Sequence, residues 1–402
     1  MLAICLWRKM MKKTADNYNS HRYTIKIARS IEEVEKYRGF WESMQQHPNA
    51  DIDFYLTIVN SRQEIIRPHV IVLYNDNNPE AMVIGRIEER RIDVKIGYKV
   101  LYRPKLHSLT IVYGGILGNQ SAIHVNVIIT ELLGTLKRGD ADIIFFSNLP
   151  LDSEMYRLAK LKPGFFSRDH ISQSNLHWKM TLPGSIDAFL QSLNRKHRYW
   201  LNRLPRVLEK EYPGKVAYKE FHNKADIDKI CNDADNIAKK TYQRALGAGF
   251  INNDETRQRI RLSAERGWLR SYFVYINNEP AAFWIGTLYG ETFYLDYTGY
   301  DPIYKKYESG TILFVRIIED LCNNNIYEID FGFGDAFYKK RFGNKNWEEA
   351  SVIIFSPSIK NIIINLSRLM SVSLSKLFEK ILRQTNFYQK IKKYWRSLLT
   401  QK

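Results

Sequence analysis

The amino-acid sequence predicts a mixed α/β protein made of one strand-and-helix unit used twice, followed by a basic helical tail. Three observations carry that expectation. Strand-like and helix-like stretches alternate along the chain, their order in the first half returns in the second, and 402 residues exceed what one core holds. Single cores stop growing near ~250–300 residues.

In order, "YTIKIAR" reads as a strand, "IEEVEKYRGFWESMQQ" as an amphipathic helix and "DIDFYLTIVNS" as a short helix. "PHVIVLY" and "EAMVIGRIEER" then read as antiparallel strands around the turn "NDNNP", and a basic, irregular segment follows. "SLTIVYGGILG" is a strand, "SAIHVNVIITELLGTLKRG" a helix, "ADIIFFSNLP" a strand, "SEMYRLAKL" a helix and "NLHWKMTL" a strand. The second half opens with a long basic helix from about Ile186 to Glu211, then strand "KVAYKEF" and helices "ADIDKICNDADNIAKKTYQRAL" and "DETRQRIRLSAERG". Strands "SYFVYIN", "PAAFWIGTLY" and "TFYLDYTGY", helix "TILFVRIIEDLCNN", strand "YEIDFGFG", helix "AFYKKRF" and strand "EASVIIFS" complete it. The expected divisions are a disordered leader over 1–20, units over 21–183 and 184–358, and an amphipathic basic helical tail over 359–402.

A formal net charge of +17 argues for anionic partners: phosphates, nucleic acid or an acidic membrane surface. Cys5, Cys231 and Cys322 have no spacing that supports a disulfide framework or a zinc site, so a reducing cytoplasm is the expected compartment and no metal is expected. No stretch approaches the ~18–20 uninterrupted apolar residues of a membrane span. The tail, apolar at helical spacing with cations on its other side, fits either packing on its own unit or peripheral contact with an acidic membrane at its inner face.

Two places carry candidate chemistry. "KKYESGTIL" sets Lys305, Lys306, Ser309, Gly310 and Thr311 at a helix start, where unpaired backbone N–H groups and the positive dipole end attract phosphate. Its plainer reading is an N-cap serine beside surface lysines. "IDFGFGDAFYKKRFG" ends a strand in Gly332-x-Gly334, and glycine there serves positive φ or close approach of another group. A dinucleotide fingerprint is excluded, because Phe337 stands where its third glycine belongs. The basic helix adds Arg195, Lys196 and Arg198 as contacts for an anionic substrate, with a solvated face as the plain alternative; His197 reads as a surface histidine. Asp296 and Tyr297 of "FYLDYTGY" are candidates to line the substrate on a strand whose aromatics otherwise read as core.

These residues resemble a known family. "GYDPIYKKYESGTILFVRIIEDL" followed by "YEIDFGFGDAFYKKRFG" is similar to the acetyltransferase domain of the CelD-like branch of the GNAT superfamily, from cellulose and exopolysaccharide biosynthesis. More distantly they resemble the Fem-type aminoacyl transferases, which pair two such units and carry a Lys before Phe-Gly, as Lys339 and Phe342-Gly343 here. The resemblance implies an acyltransferase taking acyl-CoA (acetyl-CoA), or an acyl carrier protein, as donor, with its pyrophosphate at Ser309–Thr311 and an amine or hydroxyl of a saccharide-related acceptor. It implies a V-shaped gap between "TFYLDYTGY" and the strand ending at Gly332 for the acyl-bearing arm. Tyr338 then protonates the departing thiolate, Lys339 stabilises negative charge, and Asp330 and Asp335 act as acceptor base or as partners orienting the lysine. Two other readings stand beside it: an aminoacyl-tRNA-dependent transferase, and a non-catalytic scaffold of an envelope-polysaccharide complex.

Overall fold

The computed structural model describes residues 23–97, 99–241, 244 and 249–383, so the leader and the last part of the tail lie outside the described residues. The first half supplies strands β1 (Tyr23–Ala28), β2 (Ile65–Asn75), β3 (Asn78–Arg91), a small hairpin β4 (Val94–Ile96) and β5 (Lys99–Tyr102), then β6 (Lys105–Gly118), β7 (Ile143–Pro150) and β8 (Ser174–Thr181). The second supplies β9 (Val216–Phe221), β10 (Leu269–Ile276), β11 (Glu279–Tyr289), β12 (Thr292–Tyr300), β13 (Glu328–Phe333) and β14 (Lys345–Phe355).

Twelve of these strands make one mixed sheet in the order β1-β2-β3-β6-β7-β14-β8-β13-β12-β11-β10-β9. Read from either edge, the sheet begins with four antiparallel strands and then a parallel pair, β6 with β7 and β12 with β13. The fold is therefore one topology used twice in a single mixed sheet flanked by helices. Their last strands are exchanged: β14 pairs with β7 of the first half, and β8 pairs with β13 of the second. The two exchanged strands also pair with each other, so the sheet runs unbroken through the seam.

Helices cover both faces because their apolar residues recur at helical spacing. α1 (Ile31–Glu35) and α2 (Arg38–Glu42) replace the single helix expected over that stretch, and α3 (Ile52–Ser61) follows, capped by Asp51. α4 (Ala122–Lys137) buries Val125, Ile128, Ile129, Leu132 and Leu136 against the first half of the sheet. α5 (Glu154–Leu161) packs beside it. The expected helix from Ile186 to Glu211 is also two, α6 (Ile186–Ser192) and α7 (Arg195–Glu211). Leu193 is extended and the Asn194 side chain accepts from His197 N at 2.9 Å, which ends one helix and caps the next. α8 (Ile227–Ala238) and α9 (Asp254–Glu265) precede β10. α10 (Ser309–Asn323) buries Ile312, Leu313, Phe314, Ile317, Ile318 and Leu321, each apolar side chain contributing on the order of 1.5–3 kcal/mol when fully buried. α11 (Phe337–Phe342) follows β13, and α12 (Ile359–Arg383) forms the described part of the tail. The segment read as irregular after β3 holds the β4–β5 hairpin, which packs on α12.

Candidate active site

Strands β12 and β13 pair only over Thr292–Tyr294 with Glu328–Asp330 and then separate. Past Asp330 the register of β13 shifts, with Gly332 at φ 69° and Gly334 at φ 102°. A side chain at either glycine would meet open space, so backbone conformation is what requires glycine there. Lys339 turns inward from α11 and donates to the carbonyls of Gly332 (3.2 Å) and Phe333 (2.7 Å), tying down the strand end. Burial pushes its ammonium down to about 8, with the Asp330 charge opposing. The Tyr338 ring packs edge-on against Trp284 and Phe331, and burial raises its hydroxyl pKa. Gly343 is needed for packing, since a Cβ would lie 2.6 Å from the Lys339 carbonyl and 2.8 Å from the Trp178 ring.

The two acids expected beside the lysine are separated. Asp335 is exposed and pairs with Lys340 at 2.9 Å. Asp330 is buried, accepting from Gly332 N and from His177 Nε2, both at 2.7 Å. Burial alone would raise its carboxyl, but the His177 hydrogen bond and charge outweigh that and hold it below the usual range.

The helix-start residues do come together. Lys305 and Lys306 lie in a 3-10 turn over Pro302–Tyr307, and Ser309, buried, donates to Ala281 O at 3.5 Å. Gly310 faces the Tyr300 ring, and Thr311 Oγ1 donates to Glu308 at 3.2 Å. The N-cap position belongs to Glu308, at φ 52°, whose carboxylate sits at the positive end of α10 with Arg341 3.6 Å away. Arg341 also covers the rings of Trp200 and Phe337, and His197 stacks on Phe342. These contacts bring the start of α7, with Arg195 and Lys196 exposed and Arg198 half-buried, to the same corner as α10 and α11. None of those three cations has a carboxylate within ion-pair distance among the described residues. Asp296 and Tyr297 lie elsewhere, at a bulge of β12 facing Arg259: Tyr297 accepts from its guanidinium at 3.1 Å and Asp296 from Thr287 at 2.7 Å.

Sequence reasoning missed a second constellation, at the seam. His177 of β8 is buried with Nε2 on Asp330 and Nδ1 3.3 Å from Glu349 of β14, and its ring stacks on Trp347 with centroids 4.4 Å apart. Burial would lower its pKa, but the two carboxylates raise it to about 9, so an imidazolium lies between them. Lys179 and Lys345 meet Glu328 at 2.7 and 3.4 Å, so three cations balance three carboxylates. Glu349 also accepts from Tyr113 (2.9 Å) and from the Trp347 indole (2.7 Å).

Glu349 and Tyr113 line a cavity of about 240 Å³ between the diverging strands β6 and β7. It forms where residues 112–115 bulge opposite Ile84, between the pairs Val83–Ile116 and Gly85–Ile111. His47 enters its wall against Tyr113 and Tyr294, an approach that Gly114 permits: at φ +72° its Cβ would lie 2.9 Å from the His47 Cβ. His47 Nδ1 accepts the Asn49 amide at 3.1 Å, which puts the ring proton on Nε2, and burial pushes its pKa down to about 4. The cavity thus offers polar groups of Tyr113, His47 and Glu349 that can position a bound acceptor by hydrogen bonds. The only sequence signal for this place is the Gly114-Gly115 pair.

Residues 195–340 match the family model described as "Acetyltransferase (GNAT) domain", a segment running from α7 through β13 into α11. No curated protein matches the chain. Among solved structures, a conserved protein of unknown function from Bacteroides thetaiotaomicron VPI-5482 superposes with a TM-score of 0.50 at 9% identity, over 82% of this chain and 100% of that one. FemX does so with a TM-score of 0.50 at 12% identity, over 79% of this chain and 95% of its own. At such identities the likeness is one of fold.

Proposed function

We propose that this GNAT-type acyltransferase moves a short acyl group from acyl-CoA to an amine or hydroxyl of a saccharide-related acceptor, in the cytoplasm, where its donor is made. The observation that carries the reading is the parting of β12 and β13 after three paired residues, inside the segment matched by the acetyltransferase model. Diverging parallel strands leave backbone groups free for a slender, amide-bearing arm, and the adjoining start of α10 suits its pyrophosphate. In this reading Lys305, Lys306 and the amides of Ser309–Thr311 hold the phosphates, with Glu308 drawn aside toward Arg341. Tyr338 protonates the thiolate, and Lys339 fixes the strand end and contributes positive charge. Arg195, Lys196 and Arg198, unpaired at the same corner, receive further anionic groups of donor, carrier protein or acceptor. Asp330 stays ionised through His177 and acts on the acceptor side, whereas Asp335 is left to the surface.

The division of the chain into units over 21–183 and 184–358 belongs to this reading, with the first as the acceptor-binding half. Its cavity, lined by Glu349, Tyr113 and His47, supports that role.

The test is thermal shift with acetyl-CoA on the wild type and on Gly310→Glu. A saturable shift is expected for the wild type and none for the variant, because a carboxylate would take the space and the field meant for the pyrophosphate. A shift that survives in folded Gly310→Glu removes the assigned phosphate site. No shift with any acyl-CoA, together with salt-sensitive retardation of tRNA, would favour an aminoacyl-tRNA-dependent transferase; no response to either leaves a scaffold.

A further inference from the structure

Helix α12 is built the reverse of an ordinary surface helix. The side it turns to the protein is largely polar. Asn361 Nδ2 donates to Asp142 and Ser356, Asn365 Nδ2 donates to the carbonyls of Phe166 (3.0 Å) and Arg168 (2.9 Å), and Ser375 Oγ accepts from Gly97 N at 2.9 Å. The side it turns outward is apolar. Ile359 is 79% exposed and Met370 64%, with Ile363, Leu374 and Leu377 exposed beside them. At 3.6 residues per turn these five positions fall within an arc of roughly 60°. A helix at a protein–water boundary points such a stripe at the core, so an outward stripe is made for something else to cover.

The surroundings say what kind of surface that is. Lys360, Lys376 and Lys380 are exposed on the two flanks of the stripe, and within Ile359–Arg383 the sequence has five cations against one acid, Glu379. The elements tethered to the polar side end in exposed apolar groups of their own: Leu101 and Tyr102 on β5, and Phe165 and Phe166 in the loop held by Asn365. An apolar stripe edged by lysines, on a chain of net charge +17, is complementary to an anionic lipid surface. No helix among the described residues is long and apolar enough to cross a membrane. We propose that α12 is a docking surface for anionic phospholipid, on which the protein lies with the stripe sunk among the acyl chains and the lysines at the headgroups.

The experiment is co-sedimentation of the full chain with vesicles of phosphatidylcholine alone or mixed with phosphatidylglycerol, at low and high salt, beside Met370→Glu/Leu374→Glu and Lys360→Ala/Lys376→Ala/Lys380→Ala. Expected are binding to the anionic vesicles, weakened by salt, and a loss of about tenfold or more in the first variant, as removal of two buried apolar groups requires. The lysine variant should lose most of its preference for anionic over neutral vesicles. Both variants change exposed side chains, and an unaltered thermal transition and acetyl-CoA shift would show them folded. Wild type that ignores anionic vesicles overturns the proposal, as does equal binding by the glutamate variant. A dimer that the glutamate variant dissolves, without vesicle binding, would assign the stripe to a second copy instead.

Discussion

The two halves share one topology, yet the ends of their parallel strand pairs are furnished differently. In the first half β6 and β7 part around a cavity of about 240 Å³, and the helix that follows, α4, begins among exposed residues with no lysine or arginine in its first turn. In the second, the Tyr338 ring packs on Trp284 and Phe331 beyond the end of β13, and α10 begins beside Lys305, Lys306, Glu308 and Arg341. The difference teaches that the backbone of this fold provides a gap and a helix start wherever it recurs. What becomes of them is decided by a few side chains: Gly114 and Gly115 opening one bulge, and Lys305, Lys306 and Arg341 gathering at the other helix start.

The largest effect is expected at the seam where the halves meet. His177→Ala leaves Glu349 buried without its cation and Asp330 with only Lys179, 3.6 Å away, and a loss of about 3–5 kcal/mol is expected in urea unfolding. The same group sets a pH dependence. Its folded pKa, about 9, lies above the ordinary 6.5, so its stabilisation is complete below pH 6.5 and is lost as pH rises through 9. In His177→Ala that alkaline loss should be absent from a pH series of unfolding midpoints.

Next in size are the groups of the second half. Tyr338→Phe and Lys339→Ala should each lower turnover by roughly 10²-fold or more while donor binding persists, the scale of acid–base and oxyanion groups. Near-normal turnover in both would leave this stretch as scaffold for the strand end. A smaller effect is expected from Gly114→Ala in the first half. The added methyl at positive φ presses on His47 at a cost of about 1–3 kcal/mol, so KM for the acceptor should rise with the acetyl-CoA shift unchanged. If acceptor KM stays put, the cavity belongs to packing. The smallest effect sharpens the charge difference: reversing Arg195, Lys196 and Arg198 together should weaken the anionic partner modestly and flatten its dependence on salt. Unchanged salt response would make the start of α7 a solvated face.

What the sequence made legible was local. The alternation of elements and the positive-φ glycines at the end of β13 follow from period and turn chemistry, whereas at the α10 start the cap is Glu308 and not the expected Ser309. Two helices broke where one was expected, because single residues such as Asn194 cap a restart that hydrophobic spacing does not register. The seam was not legible at all. His177 meets Tyr113, Asp330 and Glu349 across 64, 153 and 172 residues of chain, and only strand exchange makes them neighbours. Lys339 was singled out by its neighbours Phe342-Gly343, but its partners are carbonyls of a turn, which no residue type announces.

The exchanged strands also set a timetable for synthesis. β7, "IIFFSNLP", leaves the ribosome with one edge paired to β6, and its other partner, β14, is made roughly 200 residues later. At ~5–20 residues per second that interval is on the order of 10–40 s. Throughout it the growing chain carries an apolar strand with an open edge, the kind of surface to which other chains adhere. The seam cannot close before Lys345–Phe355 has been made, so a nascent chain stalled before Lys345 is expected to adhere to other chains more readily than the finished protein does.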